Sequence, residues 1–212
     1  MDEFWESSFK EKKTMWGFEP ADSALVALDI FRKNGIKKIL IPGYGYGRNA
    51  KVFLDNGFDV TGIEISETAI ALAKKHFGGG MKIYHGSVNA MPFDCELYGG
   101  IYSYALIHLL NSRERARLIK NCYNQLQPGG YMVFTTISKD YPMYGRGKEI
   151  STDRFQTLPG IKMYFYDPDS IRKEFGKYGL TDCREIDEPV KNMSNKPPVK
   201  FWLIVCRKQP EN

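Results

Sequence analysis

Three alternate glycines, Gly43, Gly45 and Gly47, directly follow a short apolar run in this chain. Without a Cβ, glycine lets the backbone take φ values that other residues avoid, and it lets a ligand lie against the main chain. The next apolar segment, 58–64, ends in Glu64. A carboxylate at the carboxyl end of a parallel strand can accept hydrogen bonds from the two hydroxyls of a ribose. The pattern therefore indicates a site for an adenosine-type ligand, with Glu64 as the ribose ligand.

The spacing of these glycines separates two classes of nucleotide site. The dinucleotide fingerprint GxGxxG needs glycine or alanine at position 48, where this chain has Arg48. The chain reads GxGxG instead, which disfavours a ligand with a pyrophosphate. Glycine-rich turns also occur between strands and helices without any ligand, and the placement of Glu64 favours the adenosine site over that alternative.

Two later strand ends add residues to such a site. The segment 81–84 predicts a third strand, and Ser87 lies just after it. The segment 100–108 predicts a fourth strand with its following turn, and it ends at His108. An imidazole titrates near physiological pH, so His108 is a candidate general base for an acceptor that must lose a proton. A packing role for His108 is equally open at this stage.

Taken together, these segments resemble motifs I and II of the class I S-adenosylmethionine-dependent methyltransferases, and the resemblance extends along most of the chain. The residues GRN at 47–49 and GFDVTGIEISETAIALAKK at 57–75 are similar to the tellurite-resistance and thiopurine methyltransferase-like branch. Pro42 stands where many members have an acidic residue. The resemblance implies S-adenosyl-L-methionine as the cofactor.

The resemblance also implies roles for individual residues at the cofactor. Ser87 and Val88 lie where the family places its adenine-binding loop, and many members have aspartate at the position of Ser87. A serine hydroxyl accepts a weaker hydrogen bond than a carboxylate does. The residues expected to bind the cofactor are Gly43, Tyr44, Gly45, Gly47, Asn49, Glu64, Ile65, Ser87, Val88 and Tyr104.

Two aromatic segments lie outside the cofactor motifs. The N-terminal segment is expected to form a lid, with docking of its aromatics on the sheet as the alternative. The insertion 138–166 is expected to cover the acceptor, with a packed surface flap as the alternative. The candidate substrate or lid residues are Trp5, Trp16, Tyr46, Tyr144, Arg146 and Tyr164.

Strands and helices alternate along the chain, which predicts a parallel α/β sheet. By resemblance, the fold is a Rossmann-like three-layer sandwich with a seven-stranded, mostly parallel sheet whose last strand is antiparallel. We expect a single methyltransferase domain over 1–212. Its expected parts are an N-terminal lid and helix (1–35), a cofactor-binding core (36–137), an acceptor-side insertion (138–166), and a last helix with a strand hairpin (167–212).

Helix ends are predicted from capping residues and glycines. The spacing of Ala21, Leu25 and Leu28 predicts an apolar helix face before the first strand. The other predicted helices are 48–56 before Gly57, 67–77 after an N-cap at Ser66, 113–126 after an N-cap at Ser112, and a last helix from Asp167 and Pro168 to Gly179.

Length, charge and cysteine usage fit one intracellular domain. The chain has 212 residues and a formal net charge of +5, with its basic residues dispersed among acidic ones, which disfavours a nucleic-acid partner. Apolar runs fall short of the roughly 20 residues that span a bilayer, and the start MDEFWESSFKEKK lacks the apolar core of a signal peptide. We expect a cytoplasmic protein without membrane contact or bound metal. Four unpaired thiols are expected, at Cys95, Cys122, Cys183 and Cys206.

The expected reaction is an in-line transfer of a methyl group to a small-molecule acceptor with a sulfur, metalloid or oxygen nucleophile. After the fourth strand the chain reads Ser103-Tyr104-Ala105, so the Asn/Asp-Pro-Pro-aromatic motif of adenine amino-group methyltransferases is missing there. Two alternatives remain: a noncatalytic S-adenosylmethionine-binding partner and a nicotinamide-dependent oxidoreductase. The sequence leaves the acceptor and the oligomeric state open.

Overall fold

Helices and strands alternate over most of the computed structural model, which describes residues 2–78, 80–191 and 196–210. The helices are α1 (Asp2–Lys12), α2 (Asp22–Lys33), α3 (Arg48–Asp55), α4 (Glu67–Phe77), α5 (Ser112–Gln125) and α6 (Pro168–Phe175). The strands are β1 (Lys38–Pro42), β2 (Asp59–Glu64), β3 (Lys82–His85), β4 (Tyr98–Ser103), β5 (Leu126–Ile137), β6 (Lys148–Ser151), β7 (Arg154–Leu158), β8 (Ile161–Tyr164), β9 (Leu180–Glu188) and β10 (Val199–Arg207).

Seven of these strands form one sheet in the order β3-β2-β1-β4-β5-β10-β9. The first five strands of that order are parallel, and β10 is antiparallel to both β5 and β9. Helices α2, α3 and α4 pack on one face of the sheet, and α5 and α6 pack on the other. The predicted three-layer α/β sandwich with a seven-stranded sheet and an antiparallel last strand is confirmed.

Small residues bring α2 close to the sheet. Its buried face consists of Ser23, Ala24, Ala27, Leu28 and Phe31. The prediction that Leu25 belongs to this face is wrong, because its side chain is 45% exposed. The buried face instead includes Ala24 and Ala27, which the predicted spacing of Ala21, Leu25 and Leu28 did not include.

The helix caps confirm two predictions and correct a third. The Ser66 side chain accepts a hydrogen bond from the Ala69 N–H and caps α4, and the Asp167 side chain caps α6. Helix α5 begins one residue earlier than predicted, because Asn111 is its N-cap. Asn111 and Glu114 form a reciprocal capping box there, which satisfies more backbone donors than a serine cap at position 112 would.

The insertion 138–166 folds as a small antiparallel sheet, β6-β7-β8. It is tied to the core by Lys139, whose Nζ lies 2.8 Å from Asp153 and 2.6 Å from Asp167. These ion pairs link the small sheet, through Asp153, to the start of α6, through Asp167. Within the described ranges, no helix is long and apolar enough to cross a membrane.

Candidate functional site

A cavity of about 500 Å³ opens at the carboxyl ends of β1, β2 and β4. The strand order reverses between β1 and β4, and in open α/β sheets ligands bind in the crevice at such a switch point. The glycine loop 43–47 and the segments 86–89 and 104–110 form much of its lining, and the N-terminal segment and β8 complete it.

The glycine loop has the backbone conformation that its sequence demands. The φ angles of Gly43, Gly45 and Gly47 are 75°, 57° and 87°, in the region where a side chain is strained. The N–H groups of Gly43 and Tyr44 both donate to the Ile63 carbonyl, at 2.9 and 3.0 Å, and so fasten the loop to the end of β2. The predicted cofactor residues Gly43, Tyr44, Gly45 and Gly47 all line the cavity.

Glu64 is buried at the end of β2 and lines the cavity. Its Oε2 accepts a 2.7 Å hydrogen bond from the Gly45 N–H, and its Oε1 accepts from the Ile65 and Ser66 N–H groups, each at 2.9 Å. Burial raises the pKa of Glu64, and these three hydrogen bonds oppose the rise. An ionised carboxylate has about four acceptor sites, so acceptor capacity remains for a hydroxyl of a bound molecule.

The predicted adenine loop follows β3 and lines the cavity. Ser87 caps a 3₁₀ turn at Val88–Ala90, with its Oγ accepting from the Asn89 N–H at 3.3 Å. Val88 is buried, and both Ser87 and Val88 line the cavity, as does Ile65. The Asn89 Nδ2 donates to Glu114 Oε1 at 3.0 Å, which fixes this turn to α5.

The N-terminal segment folds over the glycine loop. The Trp16 ring stacks on the Tyr46 ring with centroids 6.2 Å apart and planes 8° apart, and Phe9 meets Tyr46 edge-on at 6.1 Å. The Tyr46 hydroxyl donates to the Gly17 carbonyl at 2.6 Å and accepts from the Trp16 N–H at 3.2 Å. Trp5, Phe9, Trp16 and Tyr46 all line the cavity, so these aromatics form its cover.

Arg48 and Asn49 hold the segment that leads from this cover to α2. One guanidinium nitrogen of Arg48 donates to the Trp16 and Glu19 carbonyls at 3.3 and 3.2 Å. The Asn49 Oδ1 accepts from the Ala21 N–H at 2.9 Å. The guanidinium of Arg48 also lies 5.4 Å from the centre of the Tyr104 ring. The predicted cofactor residues Asn49 and Tyr104 line the cavity, as does Arg48, which is not among the predicted residues. Asn49 uses its side-chain oxygen on the chain itself.

His108 lines the cavity and is only 5% exposed. Its Nδ1 is buried, and among the described residues no hydrogen-bond partner reaches it. Burial lowers the pKa of His108 to about 3, so the imidazole is neutral at pH 7. The ring packs 6.1 Å from Phe201, whose ring also meets Tyr104 at 5.8 Å.

The structure does not bring three predicted acceptor residues to the cavity. The Tyr144 hydroxyl donates to Asp153 at 2.7 Å, Tyr164 packs 3.8 Å from the Arg115 guanidinium, and Arg146 is exposed. The insertion reaches the cavity instead through Ile161 and Met163 of β8. Ile161 and Met163 are alternate residues of a strand, and this spacing was the pattern that could have predicted a shared face. The prediction was based on aromatic and basic content instead and therefore named other residues.

Some cavity residues come from segments that the motifs do not mark. Phe201 of β10 and Glu188 at the end of β9 both line it. Glu188 is buried and accepts hydrogen bonds from the Asp22 and Ser23 N–H groups at 2.7 and 3.2 Å. It therefore caps α2 from a strand that is more than 160 residues away along the chain. No local sequence pattern carries such a contact.

The strand order, the antiparallel β10 and the cavity at the switch point define a class I methyltransferase fold. Solved structures agree. The Burkholderia thailandensis 1,6-didemethyltoxoflavin-N1-methyltransferase, crystallised with its namesake compound and S-adenosylhomocysteine, matches with a TM-score of 0.75 and 16% identity over 98% of this chain and 87% of that one. TehB from Haemophilus influenzae matches with a TM-score of 0.64 and 20% identity over 97% and 67%.

Sequence comparisons point the same way. Residues 40–134 match the family described as a methyltransferase domain. Thiocyanate methyltransferase 1 of Arabidopsis thaliana is 27% identical over 133 residues, which are 61% of this chain and 59% of that protein. A ubiquinone biosynthesis O-methyltransferase of Aromatoleum aromaticum is 28% identical over 110 residues, 51% of this chain and 47% of that protein. The matches thus span about half the length of these relatives. Residues 40–134 are thus similar to methyltransferase domains, and the fold is that of the S-adenosylmethionine-dependent methyltransferases among the solved structures.

Proposed function

We propose that this chain is a methyltransferase that uses S-adenosyl-L-methionine to methylate a small-molecule acceptor. The observation that carries the proposal is Glu64, a buried carboxylate that faces the cavity at the end of β2 with acceptor capacity to spare. A carboxylate at this place in a doubly wound sheet binds ribose hydroxyls. The match of residues 40–134 to the family described as a methyltransferase domain supports S-adenosylmethionine as the nucleoside.

The residues around the cavity fit the parts of this cofactor. We assign the adenine to Ser87 and Val88 and the ribose to Glu64, all of which line the cavity. In the glycine loop, a Cβ would lie 3.1 Å from Leu106 at Gly43 and 3.0 Å from Tyr44 at Gly47, so both positions are crowded for a larger residue. Arg48 has guanidinium donors beyond the one used on backbone carbonyls, and it suits the carboxylate of the amino-acid part.

The cofactor brings a methyl carbon that is already activated by positive sulfur. The protein then has to align the acceptor and exclude water from the reacting atoms. The cover of Trp5, Phe9, Trp16 and Tyr46 suits that second task, because these side chains close the cavity above the glycine loop. Their ring faces would also attract a positive sulfonium.

We propose sulfur, a metalloid or oxygen as the acceptor atom. Relatives named for thiocyanate methylation and for O-methylation support sulfur and oxygen. A cytoplasmic location, without nucleic acid or membrane as partner, remains part of the proposal on the sequence grounds given above. The free thiol of the exposed Cys95 is in keeping with a reducing compartment.

Isothermal titration with S-adenosylmethionine and S-adenosylhomocysteine, with NADH and NADPH as controls, tests the cofactor. We expect micromolar binding of the two sulfur nucleosides and none of the nicotinamide nucleotides. Binding of the nicotinamide nucleotides alone would favour an oxidoreductase. If the sulfur nucleosides bind but no thiol, metalloid oxyanion or hydroxyl compound is methylated, a noncatalytic binding protein is the better account.

A further inference from the structure

One end of the cavity has an apolar wall, which we call the acceptor wall. It adjoins Tyr104 and Ala105, the residues that follow β4. Its members lie in one hydrophobic cluster and also line the cavity: Trp5, Leu109, Ile161, Met163, Val199 and Phe201. These side chains come from α1, from the turn after β4, and from β8 and β10, so distant parts of the chain converge to build it.

The carboxylates that line the cavity are engaged by the chain itself. Glu188 caps α2, and Glu114 closes the capping box of α5 while it accepts from Asn89. Glu64 accepts three backbone hydrogen bonds. The proposed function assigns the remaining acceptor site of Glu64 to the ribose, so a cation on the acceptor would find no carboxylate among these groups free to pair with it, and a buried charge without a partner is costly.

The basic residues Lys191 and Arg48 line the cavity, and the Arg48 guanidinium lies 5.4 Å from the centre of the ring of Tyr104, which adjoins the acceptor wall. Lys191 forms a 2.5 Å ion pair with Asp22 at the start of α2. Arg48 lies at the glycine loop, where its guanidinium is held by the Trp16 and Glu19 carbonyls. The wall itself contains no lysine or arginine within the described part of the chain, and the proposed function assigns Arg48 to the carboxylate of the cofactor.

His108 is the polar exception at this wall. Its ring lies against Phe201 and lines the cavity, and its buried Nδ1 has no hydrogen-bond partner among the described residues. Buried polar atoms in native proteins are nearly always paired, so this unpaired nitrogen marks His108 as a ring whose hydrogen-bonding capacity the chain itself leaves unused. A neutral imidazole can accept one hydrogen bond, and it can accept a proton.

We propose that the acceptor is a small uncharged molecule, a thiol or a hydroxyl compound, that keeps its proton until methyl transfer, and that His108 takes this proton. The proposal rests on the proposed function. The acceptor's lone pair forms the new bond to the methyl carbon, and the electron pair of the old carbon–sulfur bond stays on sulfur. The acceptor atom then carries both a methyl group and a proton, and the proton passes to His108.

Charge is conserved within the site during this transfer. The positive charge that enters on sulfur leaves on the imidazolium of His108, which then releases its proton to solvent. Burial lowers the pKa of His108 to about 3, which makes it a weak base towards a resting thiol. It is still a far stronger base than a sulfur or oxygen atom that bears both a methyl group and a proton, so transfer after attack is downhill.

A preformed anion is the competing acceptor. Its charge could be balanced by the sulfonium alone, and it would need no base. The two cases differ in their dependence on His108, and a matched pair of probes separates them. Benzyl mercaptan is the uncharged probe, 4-(mercaptomethyl)benzoate presents the same thiol with a carboxylate, and thiocyanate and tellurite are anions that carry no proton on the attacking atom.

Methyl transfer from radiolabelled S-adenosylmethionine to each probe is measured with the full chain, and products are identified by mass spectrometry. We expect kcat/KM for benzyl mercaptan to exceed that for its carboxylate analogue by at least about 10-fold. His108→Asn should lower kcat for benzyl mercaptan by about 100-fold or more. Its affinity for S-adenosylhomocysteine should stay within about 2-fold of wild type, which also shows that the variant is folded. His108→Gln provides a second replacement, and His76→Asn, at an exposed histidine of α4, is the matched control.

Three results would overturn the proposal. The first is a higher kcat/KM for the carboxylate analogue or for the anions than for benzyl mercaptan. The second is turnover of benzyl mercaptan that does not depend on His108. The third is binding of S-adenosylhomocysteine without turnover of benzyl mercaptan or of an uncharged phenol. Failure to bind either sulfur nucleoside is a different result, because it would overturn the proposed function itself.

Discussion

Glu6 and Glu64 are hydrogen-bonded to the same serine. The Ser66 hydroxyl donates to Glu6 Oε2 at 2.7 Å, and the Ser66 N–H donates to Glu64 Oε1 at 2.9 Å. The same hydroxyl accepts from the Ala69 N–H and caps α4. Thr68 adds a 2.6 Å hydrogen bond from its hydroxyl to Glu6. Glu6, which lies on the helix α1 that carries part of the cover over the cavity, and Glu64, which we propose binds the ribose, are thus both hydrogen-bonded to the start of α4.

Replacing Glu6 with glutamine should loosen the cover. The carboxylate binds two hydroxyls and one N–H at the positive end of α4, and the amide is a weaker acceptor there. We expect a loss of about 1 kcal/mol in docking of α1, because the site is partly exposed. S-adenosylhomocysteine should then dissociate about 5-fold faster, a change that stopped-flow tryptophan fluorescence can follow through Trp5 and Trp16.

Glu3→Gln is the matched control for this change. Glu3 lies on the same helix with an exposed side chain, so its replacement changes the charge of α1 by the same amount. Dissociation from Glu3→Gln should match wild type. If both variants, or neither, release the ligand faster, the hydrogen bonds of Glu6 are not what holds the cover.

The contribution of Glu6 should depend on pH in a defined direction. Hydrogen bonds from Thr68 and Ser66 lower the pKa of Glu6 from 4.5 to about 2. A carboxyl group whose pKa is lower in the folded state adds stability that is complete above its unfolded pKa and is lost as the pH falls through its folded pKa. The difference in unfolding free energy between wild type and Glu6→Gln should therefore be constant above about pH 5.5 and shrink towards zero near pH 2.

Urea denaturation of both proteins across this range measures that difference. The comparison cancels the acid sensitivity that the two chains share, because only the residue at position 6 differs. A difference that grows as the pH falls would contradict the assignment of the lowered pKa to these hydrogen bonds.

The sequence was a good guide wherever a function depends on a local pattern. The glycine loop and Glu64 lie at the ends of adjacent strands, β1 and β2, so alternation of strand and helix was enough to predict that they meet. The caps at Ser66 and Asp167 are local for the same reason.

Contacts between segments that are distant along the chain could not be predicted from the sequence. Glu6 reaches Ser66 across 60 residues, and Glu188 reaches Asp22 across 166. The same limit explains the acceptor side, where composition pointed to Tyr144 and Arg146 while the inward-facing residues of β8 are Ile161 and Met163. Which face of a short inserted sheet is turned to a cavity depends on how that sheet docks, and docking is a tertiary property.

Replacing Glu64 with glutamine should weaken cofactor binding directly. The variant loses the charged acceptor for a ribose hydroxyl, and its amide group would also confront a backbone N–H that now donates to the carboxylate. We expect a loss of about 1.5–3 kcal/mol, or roughly 10- to 150-fold in affinity, by titration with S-adenosylhomocysteine. Glu67→Gln, three residues on with a side chain 80% exposed, should bind as wild type. Equal affinities for Glu64→Gln and wild type would remove Glu64 from the site.

Gly62 positions the glycine loop from beneath it. A Cβ at this position of β2 would lie 2.2 Å from the Tyr44 ring. An alanine side chain must therefore displace that ring, and with it the part of the glycine loop that carries Tyr44. Gly62→Ala should lower the free energy of unfolding by about 1–3 kcal/mol. It should also weaken binding of S-adenosylhomocysteine, because Tyr44 belongs to the loop that lines the cavity.

Gly35→Ala is the control that separates these two effects. Gly35 has a φ of +66° and open space around its Cβ direction, so alanine there costs only the strain of a left-handed backbone, about 1–2 kcal/mol. The two variants should therefore lose comparable stability in urea denaturation, while only Gly62→Ala loses affinity for S-adenosylhomocysteine. Equal affinity in both would mean that the cavity tolerates a displaced Tyr44, and that the glycine in β2 serves packing alone.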